Sequence, residues 1–103
     1  MQGDLFADEL RLSPIEIERR RRIRVSLFAY AYEVKDNPLV SDSYFDKLCL
    51  EIKPAVGTGK LKLDKFFKNV FEPHTGQWIH KHPELNKVAA LYEERKNGKF
   101  KES

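Results

Sequence analysis

The side chains of this sequence that could bind a metal ion or attack a substrate are few and scattered. His74, His80 and His82 lie close together, but no two of them have the four-residue spacing of a helical zinc site. Cys49 is the only cysteine, so a cysteine-based zinc cage is excluded. No nucleophile stands beside a base in a known catalytic motif, and no glycine-rich phosphate-binding loop occurs. The sequence therefore predicts no catalytic residue and no metal site.

The densest run of charge is Arg19–Arg22, followed by Arg24. Glu16 and Glu18 each precede an arginine of this run by four residues, a spacing that favours ion pairs on a helix. Two interpretations stay open. The run is a solvated face neutralised by its own glutamates, or it contacts the phosphates of DNA without reading the base sequence. The candidate phosphate contacts are Arg20, Arg21 and Arg24.

A third group of residues surrounds a turn between two predicted helices. Tyr32 comes late in the first helix, Asp36-Asn37-Pro38 makes the turn, and Asp42 and Asp46 flank Phe45 at the start of the second. Over roughly residues 23–52 this spacing resembles, without gaps, the N-terminal helical hairpin of NAD-dependent DNA ligases. The resemblance implies a module that recognises the nicotinamide mononucleotide half of NAD. The candidate nucleotide contacts are Tyr32, Asp42, Phe45 and Asp46.

The sequence departs from that family at two hairpin positions. Glu33 stands where the family has a histidine, and Phe45 where it has a tyrosine. A carboxylate at position 33 repels a phosphate-bearing ligand, whereas Phe45 keeps a stacking surface but lacks the hydroxyl group. The resemblance therefore implies that binding of NAD or nicotinamide mononucleotide is weakened. The same residues would also serve as helix cap, first-turn and core positions of a purely structural hairpin, or as a contact for a protein partner.

The enzymatic part of the ligase family is missing. Its nucleotidyl-transfer domain carries a Lys-x-Asp-Gly motif, and the nearest tetrapeptide here, Lys62-Leu63-Asp64-Lys65, lacks the glycine. A chain of 103 residues is too short to contain that domain together with the hairpin. The sequence therefore indicates that the protein is not a ligase, and we expect no enzymatic activity.

Gln2-Gly3-Asp4-Leu5-Phe6 resembles the short peptide by which bacterial replication proteins bind the sliding clamp. Leu5 and Phe6 would fill an apolar pocket, and the Gln2 amide would hydrogen-bond at its edge. Burial of the two apolar side chains contributes about 3–6 kcal/mol before the cost of ordering, which implies micromolar affinity. In the alternative interpretation, Leu5 and Phe6 form a flap packed on the hairpin. The candidate clamp contacts are Gln2, Asp4, Leu5 and Phe6.

The elements that must position these groups are helices. Ser13-Pro14-Ile15-Glu16 has the pattern of a capping box and begins the first one, which should run to about residue 35. Its predicted inward stripe is Ile23, Leu27, Tyr30 and Val34, widened by Phe28 and Ala31. After the turn, Ser41 or Asp42 caps the second helix, and Pro54 ends it. A short connection of this kind predicts an antiparallel helical hairpin.

The C-terminal half is predicted to add two further helices. Gly57 and Gly59 mark a break. A short helix should cover residues 61–71, with an extended start as the alternative, and a last helix should begin near Pro83 and stop at Asn97-Gly98. Trp78 is expected to be a core residue or a partner contact.

Composition places these elements in one all-α domain. Of the 103 residues, 41% are hydrophobic and 34% charged, which suits one modest core under an ionic surface. We expect a flexible tail over residues 1–12, the ligase-like hairpin over 13–54, and a helical segment over 55–103 packed on it. The lone cysteine indicates the cytoplasm, and the absence of an apolar run of about 20 residues excludes a membrane span.

The function predicted from the sequence is that of a non-catalytic accessory or adaptor protein of DNA replication or repair. It would dock on the bacterial sliding clamp by its N-terminal peptide and contact non-specific DNA or another protein through the hairpin. The ligase-like hairpin without its enzyme suggests a phage-encoded protein. Two alternatives remain: a nicotinamide nucleotide-binding module, and a phage host-takeover or anti-defence inhibitor that acts by protein–protein binding.

Overall fold

The computed structural model describes residues 12–98 and residue 100. Within them the chain forms four α-helices and one 3-10 helix, and no strand. The predicted all-α fold of a single small domain is confirmed. The helices are α1 (Pro14–Glu33), α2 (Asp42–Glu51), α3 (Leu61–Asn69), the 3-10 helix (Gln77–Lys81) and α4 (Leu85–Arg95). No helix in this described part is both long and apolar enough to cross a bilayer.

Side-chain caps fix the starts of the first two helices. The Ser13 hydroxyl accepts a hydrogen bond from the Glu16 N–H at 3.1 Å, and Pro14 occupies the first helical position. The Ser41 hydroxyl accepts from the Tyr44 N–H at 3.2 Å, so Ser41 caps α2 and Asp42 stands in its first turn. There the Asp42 carboxylate interacts favourably with the positive end of the helix dipole.

Helices α1 and α2 form an antiparallel hairpin. After α2, the Lys53 N–H donates to Glu18 near the start of α1, with N and O 3.0 Å apart. At the other end, Glu33 of α1 and Asp46 of α2 line one pocket. Between the helices, Asp36 adopts a positive φ of 50°, and the Asn37 N–H returns to the Ala31 carbonyl oxygen at 2.8 Å. This left-handed residue closes α1 and reverses the chain.

The core lies around the second half of α1. Every residue from Val25 to Ala31 is buried, because α2, α4 and the 3-10 helix all pack against this helix. The predicted inward stripe is right at Leu27 and Tyr30. It is wrong at Ile23 and Val34, which are 56% and 40% exposed. A helix that is contacted on several sides has no single buried face, so periodicity misplaces the ends of its buried segment.

The C-terminal elements close the core with aromatic side chains. Helix α3 begins directly at Leu61, without the extended start, and ends two residues short of Phe71. The Phe71 and Trp78 rings lie 5.0 Å apart, and the Trp78 indole N–H donates to the Thr75 carbonyl oxygen at 2.6 Å. Trp78 is therefore a core residue, and the segment before the 3-10 helix is held against the end of the hairpin.

Candidate functional site

A pocket of about 300 Å³ opens between the end of α1 and the start of α2. We call it the hairpin pocket. All four candidate nucleotide contacts line it: Tyr32, Asp42, Phe45 and Asp46. The structure therefore brings together residues that the sequence only placed near one turn. Its volume lies at the lower end of the range of small-molecule sites.

Four segments build the walls of the hairpin pocket. The last turn of α1 supplies Tyr32, the connection supplies residues 38–40, the first turns of α2 supply Phe45 and the two aspartates, and the segment 74–76 forms the opposite wall. Gly76 is buried, and a Cβ at that position would stand 3.3 Å from Glu33 Cγ and 3.6 Å from Phe45 Cζ. Glycine at this position therefore lets the 74–76 segment approach the hairpin closely. The sequence analysis missed this wall, although Gly76 signalled a break in the chain.

The charge of the hairpin pocket is negative. Its acidic lining residues are Glu33, Asp42 and Asp46, and no lysine or arginine is among its lining residues. The His80 Nε2 lies 3.9 Å from the Glu33 carboxylate, and His74 is among the lining residues of the pocket. A phosphate placed among three carboxylates is repelled, whereas a cation is attracted.

Aromatic side chains give the same pocket a flat apolar surface. Tyr32 is 48% exposed, and Phe45 is partly buried against the core. Both side chains line the pocket, and about half of the Tyr32 surface is open to a ligand. Aromatic faces beside carboxylates suit a planar ligand that carries positive charge.

The exposed arginines lie on the other half of α1. Arg20 stands 3.4 Å from Glu16, and Arg21 stands 3.6 Å from Glu18, so the glutamates neutralise part of the run. Arg24 is exposed and makes no ion pair with any residue that the structure describes. Arg20 and Arg24 thus remain accessible to an external phosphate. Phosphate contact by this face stays a prediction.

Arg22 has a structural role that the sequence did not reveal. It is buried and donates to Glu18 at 2.8 Å and to Asp64 at 2.9 Å. It also donates to the carbonyl oxygens of Lys53 and Val56, both at 3.0 Å. Glu18 lies one helical turn before Arg22, but Asp64 and the two carbonyl groups come from 31 to 42 residues further along the chain, which local helical spacing cannot predict. Arg22 fixes the 53–58 loop and is not available to an external phosphate.

The Asp64 carboxylate completes this network. It accepts hydrogen bonds from the Thr58 hydroxyl at 2.6 Å and from the Thr58 N–H at 3.0 Å. Desolvation by itself raises the pKa of Asp64, but the hydrogen bonds from Thr58 and Arg22 outweigh it and hold the pKa below its usual value. Arg19 adds a further tie by donating to the Thr58 carbonyl oxygen.

His82 and Cys49 are placed for packing, whereas His74 and His80 are exposed. Among the residues described, no three His, Cys, Asp or Glu side chains are disposed to hold a metal ion. His82 packs 5.1 Å from the Phe66 ring, and burial lowers the pKa of its imidazole. Cys49 is buried, and burial raises the pKa of its thiol to about 12. A thiol in that state is a poor nucleophile.

The candidate clamp contacts, Gln2, Asp4, Leu5 and Phe6, lie outside the described residues. Neither a protein-family model, nor a curated protein, nor a solved structure matches the chain.

Proposed function

We propose that this protein is a non-catalytic accessory module of DNA replication or repair whose hairpin pocket holds the nicotinamide end of a nicotinamide nucleotide. The observation that carries the ligand assignment is the convergence of Tyr32, Asp42, Phe45 and Asp46 around one pocket. The resemblance of the hairpin to NAD-dependent DNA ligases supplies the ligand class and the link to DNA metabolism.

The electrostatics of the pocket support one orientation of this ligand. The oxidised nicotinamide ring is planar and cationic, which matches the aromatic faces of Tyr32 and Phe45 and the carboxylates of Asp42 and Asp46. The phosphate must point out of the pocket, because Glu33 lies inside it. The cationic nicotinamide riboside, which has no phosphate, should therefore bind at least as tightly as the mononucleotide.

Amide chemical shifts on titration with nicotinamide mononucleotide, nicotinamide riboside and NAD test this proposal. We expect saturable shifts at residues 32, 42 and 46. Tyr32→Ala should weaken binding about two- to tenfold, the value of one aromatic contact. Tyr44→Ala is the matched control, because Tyr44 stands on α2 but does not line the pocket. Glu33→Gln should raise the affinity for the mononucleotide relative to the affinity for the riboside, because it removes the carboxylate that repels the phosphate.

The outcome that refutes the nucleotide assignment is the absence of saturable shifts up to about 5 mM ligand, where binding is worth only about 3 kcal/mol. Equal losses in Tyr32→Ala and Tyr44→Ala would also refute it, because they would indicate a general disturbance of the hairpin rather than a ligand contact.

Docking on the bacterial sliding clamp is the second part of the proposal. The motif Gln2–Phe6 supports it, and seven residues of sequence separate Phe6 from Pro14, where α1 begins. We expect a fluorescently labelled peptide of residues 1–12 to bind purified clamp with micromolar affinity in a polarisation assay. A peptide with Leu5→Ala and Phe6→Ala should not bind. Absence of binding up to about 100 μM, equivalent to about 5.5 kcal/mol, would refute clamp docking.

Non-specific DNA contact through the exposed arginines is the third part. Arg20→Gln with Arg24→Gln should weaken binding to duplex DNA and reduce the slope of log K against log salt by about 1.8, since each lost phosphate contact accounts for about 0.9. Lys96→Gln is the control, because this lysine stands just after α4. If the double arginine variant and Lys96→Gln have the same slope of log K against log salt, the arginine face is excluded as the DNA contact.

A further inference from the structure

A larger pocket, of about 580 Å³, lies on the other side of α1. We call it the large pocket. It is bounded by the first half of α1, by the starts of α3 and α4, and by the loop at residue 58. Most of its surface is apolar, and its apolar lining residues are Ile23, Leu63, Phe67, Val88 and Leu91. Its volume lies well inside the range of sites that bury a drug-sized molecule.

A buried hydroxyl group on its wall lacks a partner. Ser26 is 1% exposed, and its Oγ makes no hydrogen bond with any atom that the structure describes. Buried polar groups in folded proteins nearly always have a partner, so an unsatisfied one on the wall of a pocket marks a place where a ligand atom would be stabilised.

The edge of the large pocket is electropositive where two helices begin. Neither Lys60 at the start of α3 nor Glu84 at the start of α4 caps its helix through its side chain. The first N–H groups of both helices therefore lack a side-chain cap, and they carry the partial positive charge of the helix dipole. The acidic residue in the first turn of α3, Asp64, is paired with Arg22 at 2.9 Å.

The charged side chains around this edge strengthen that preference. Glu16 is paired with Arg19 at 3.4 Å, and Glu84 with Lys87 at 3.3 Å, so both carboxylates are neutralised. Lys60 makes no ion pair with any described residue. The edge of the pocket is thus left with an unpaired ammonium group beside a helix N-terminus.

We propose that the large pocket binds a small amphipathic anion, with its apolar body against Ile23, Val88 and Leu91 and its anionic group beside Lys60 at the start of α3. The anionic group is a carboxylate or a phosphate ester, which share the charge and the acceptor oxygens that this edge selects. Ser26 supplies a further polar contact inside the pocket. This site is separate from the hairpin pocket and does not depend on the proposed function.

Titration of the full chain with 1-anilinonaphthalene-8-sulfonate, followed by fluorescence, tests the proposal. This probe is an aromatic sulfonate, and we expect one saturable site of micromolar affinity. Decanoate or octyl phosphate should displace the probe, and whichever displaces it at the lower concentration identifies the anionic group. 1-Octanol should displace it at least tenfold less effectively. Equal displacement by octanol would overturn the anionic part of the proposal.

Variants locate the site. Lys60→Gln should weaken probe binding about two- to fivefold, the value of one solvent-exposed ion pair. Lys62→Gln is the matched control, since Lys62 is exposed on the same helix but does not line the pocket. Leu91→Trp should fill the pocket and abolish binding, with circular dichroism and the urea midpoint confirming that the variant is folded. Equal affinities of Lys60→Gln and Lys62→Gln, or no saturable binding, would overturn the proposal.

The acidic and apolar N-terminal segment is the competing occupant. Probe titration of the full chain carrying Leu5→Ala and Phe6→Ala distinguishes this segment from a small anion as the occupant of the large pocket. Unchanged probe affinity supports a small anion as the ligand. A gain of about fivefold or more would show that the chain's own segment fills the large pocket, and would overturn the proposal.

Discussion

Replacement of Arg22 by methionine removes the positive charge at the centre of the buried network and keeps an unbranched apolar side chain. The substitution removes the hydrogen bonds that Arg22 donates to the carboxylates of Glu18 and Asp64 and to two loop carbonyl oxygens. Asp64 keeps Thr58 as a donor. Glu18, whose side chain is 1% exposed, keeps only the Lys53 N–H and the more distant Arg21.

The expected loss of unfolding free energy is about 3–5 kcal/mol, because the change leaves a buried carboxylate without its main partner. A domain of this size has a total stability of about 5–15 kcal/mol, so the loss is a large fraction of it. Urea denaturation followed by circular dichroism at 222 nm and by Trp78 fluorescence measures it. Arg24→Met is the matched control on the same helix and should change stability by less than about 0.5 kcal/mol.

A second substitution, at Glu18, tests the same explanation by whether it raises or lowers the free energy of unfolding. Adding Glu18→Gln to Arg22→Met removes the unpaired charge, so the double variant should be more stable than Arg22→Met alone. The reasoning is refuted if Arg22→Met costs less than about 1 kcal/mol, or if Glu18→Gln destabilises it further.

Three further outcomes are expected. Burial lowers the pKa of His82. The free energy of unfolding is therefore fully kept above about pH 6.5, where the imidazole is neutral in both states, and it falls as the pH drops from there through the lowered pKa of the folded state. His82→Gln should remove this slope from urea midpoints measured between pH 5 and 8. Trp78→Ala should lower the free energy of unfolding by about 3–5 kcal/mol in urea titrations followed by circular dichroism, and a loss under 1 kcal/mol would contradict its placement in the core. Cys49 is buried, and burial raises its pKa to about 12. It should therefore resist alkylation by iodoacetamide at pH 8 until urea unfolds the chain. Rapid modification of the folded protein would contradict the packing of α2.

Local signals in the sequence were sufficient for the helical fold and for the turn that forms the hairpin pocket. The capping serines, Ser13 and Ser41, each accept from an N–H three residues away, and the Asn37 N–H donates to a carbonyl oxygen six residues back, so the effect of these residues can be read from the chain itself. For the same reason Tyr32 and Phe45 could be placed near one turn, where the structure shows them around one pocket. The clamp peptide at Gln2–Phe6 depends on the sequence alone and stays a prediction.

Only the tertiary structure decided how the members of the arginine run differ. Arg20, Arg22 and Arg24 are the same residue type on one helix. The sequence places Glu18 four residues before Arg22, but it does not predict that Arg22 is buried. Arg22 alone is buried, because Asp64 and the 53–58 loop meet it there, and these contacts span 31 to 42 residues of chain. The exposure of Ile23 has the same kind of cause, since the large pocket beside it is formed by the starts of α3 and α4. Local periodicity reports which side of a helix is apolar, but the partner that covers each side is chosen by packing between distant segments.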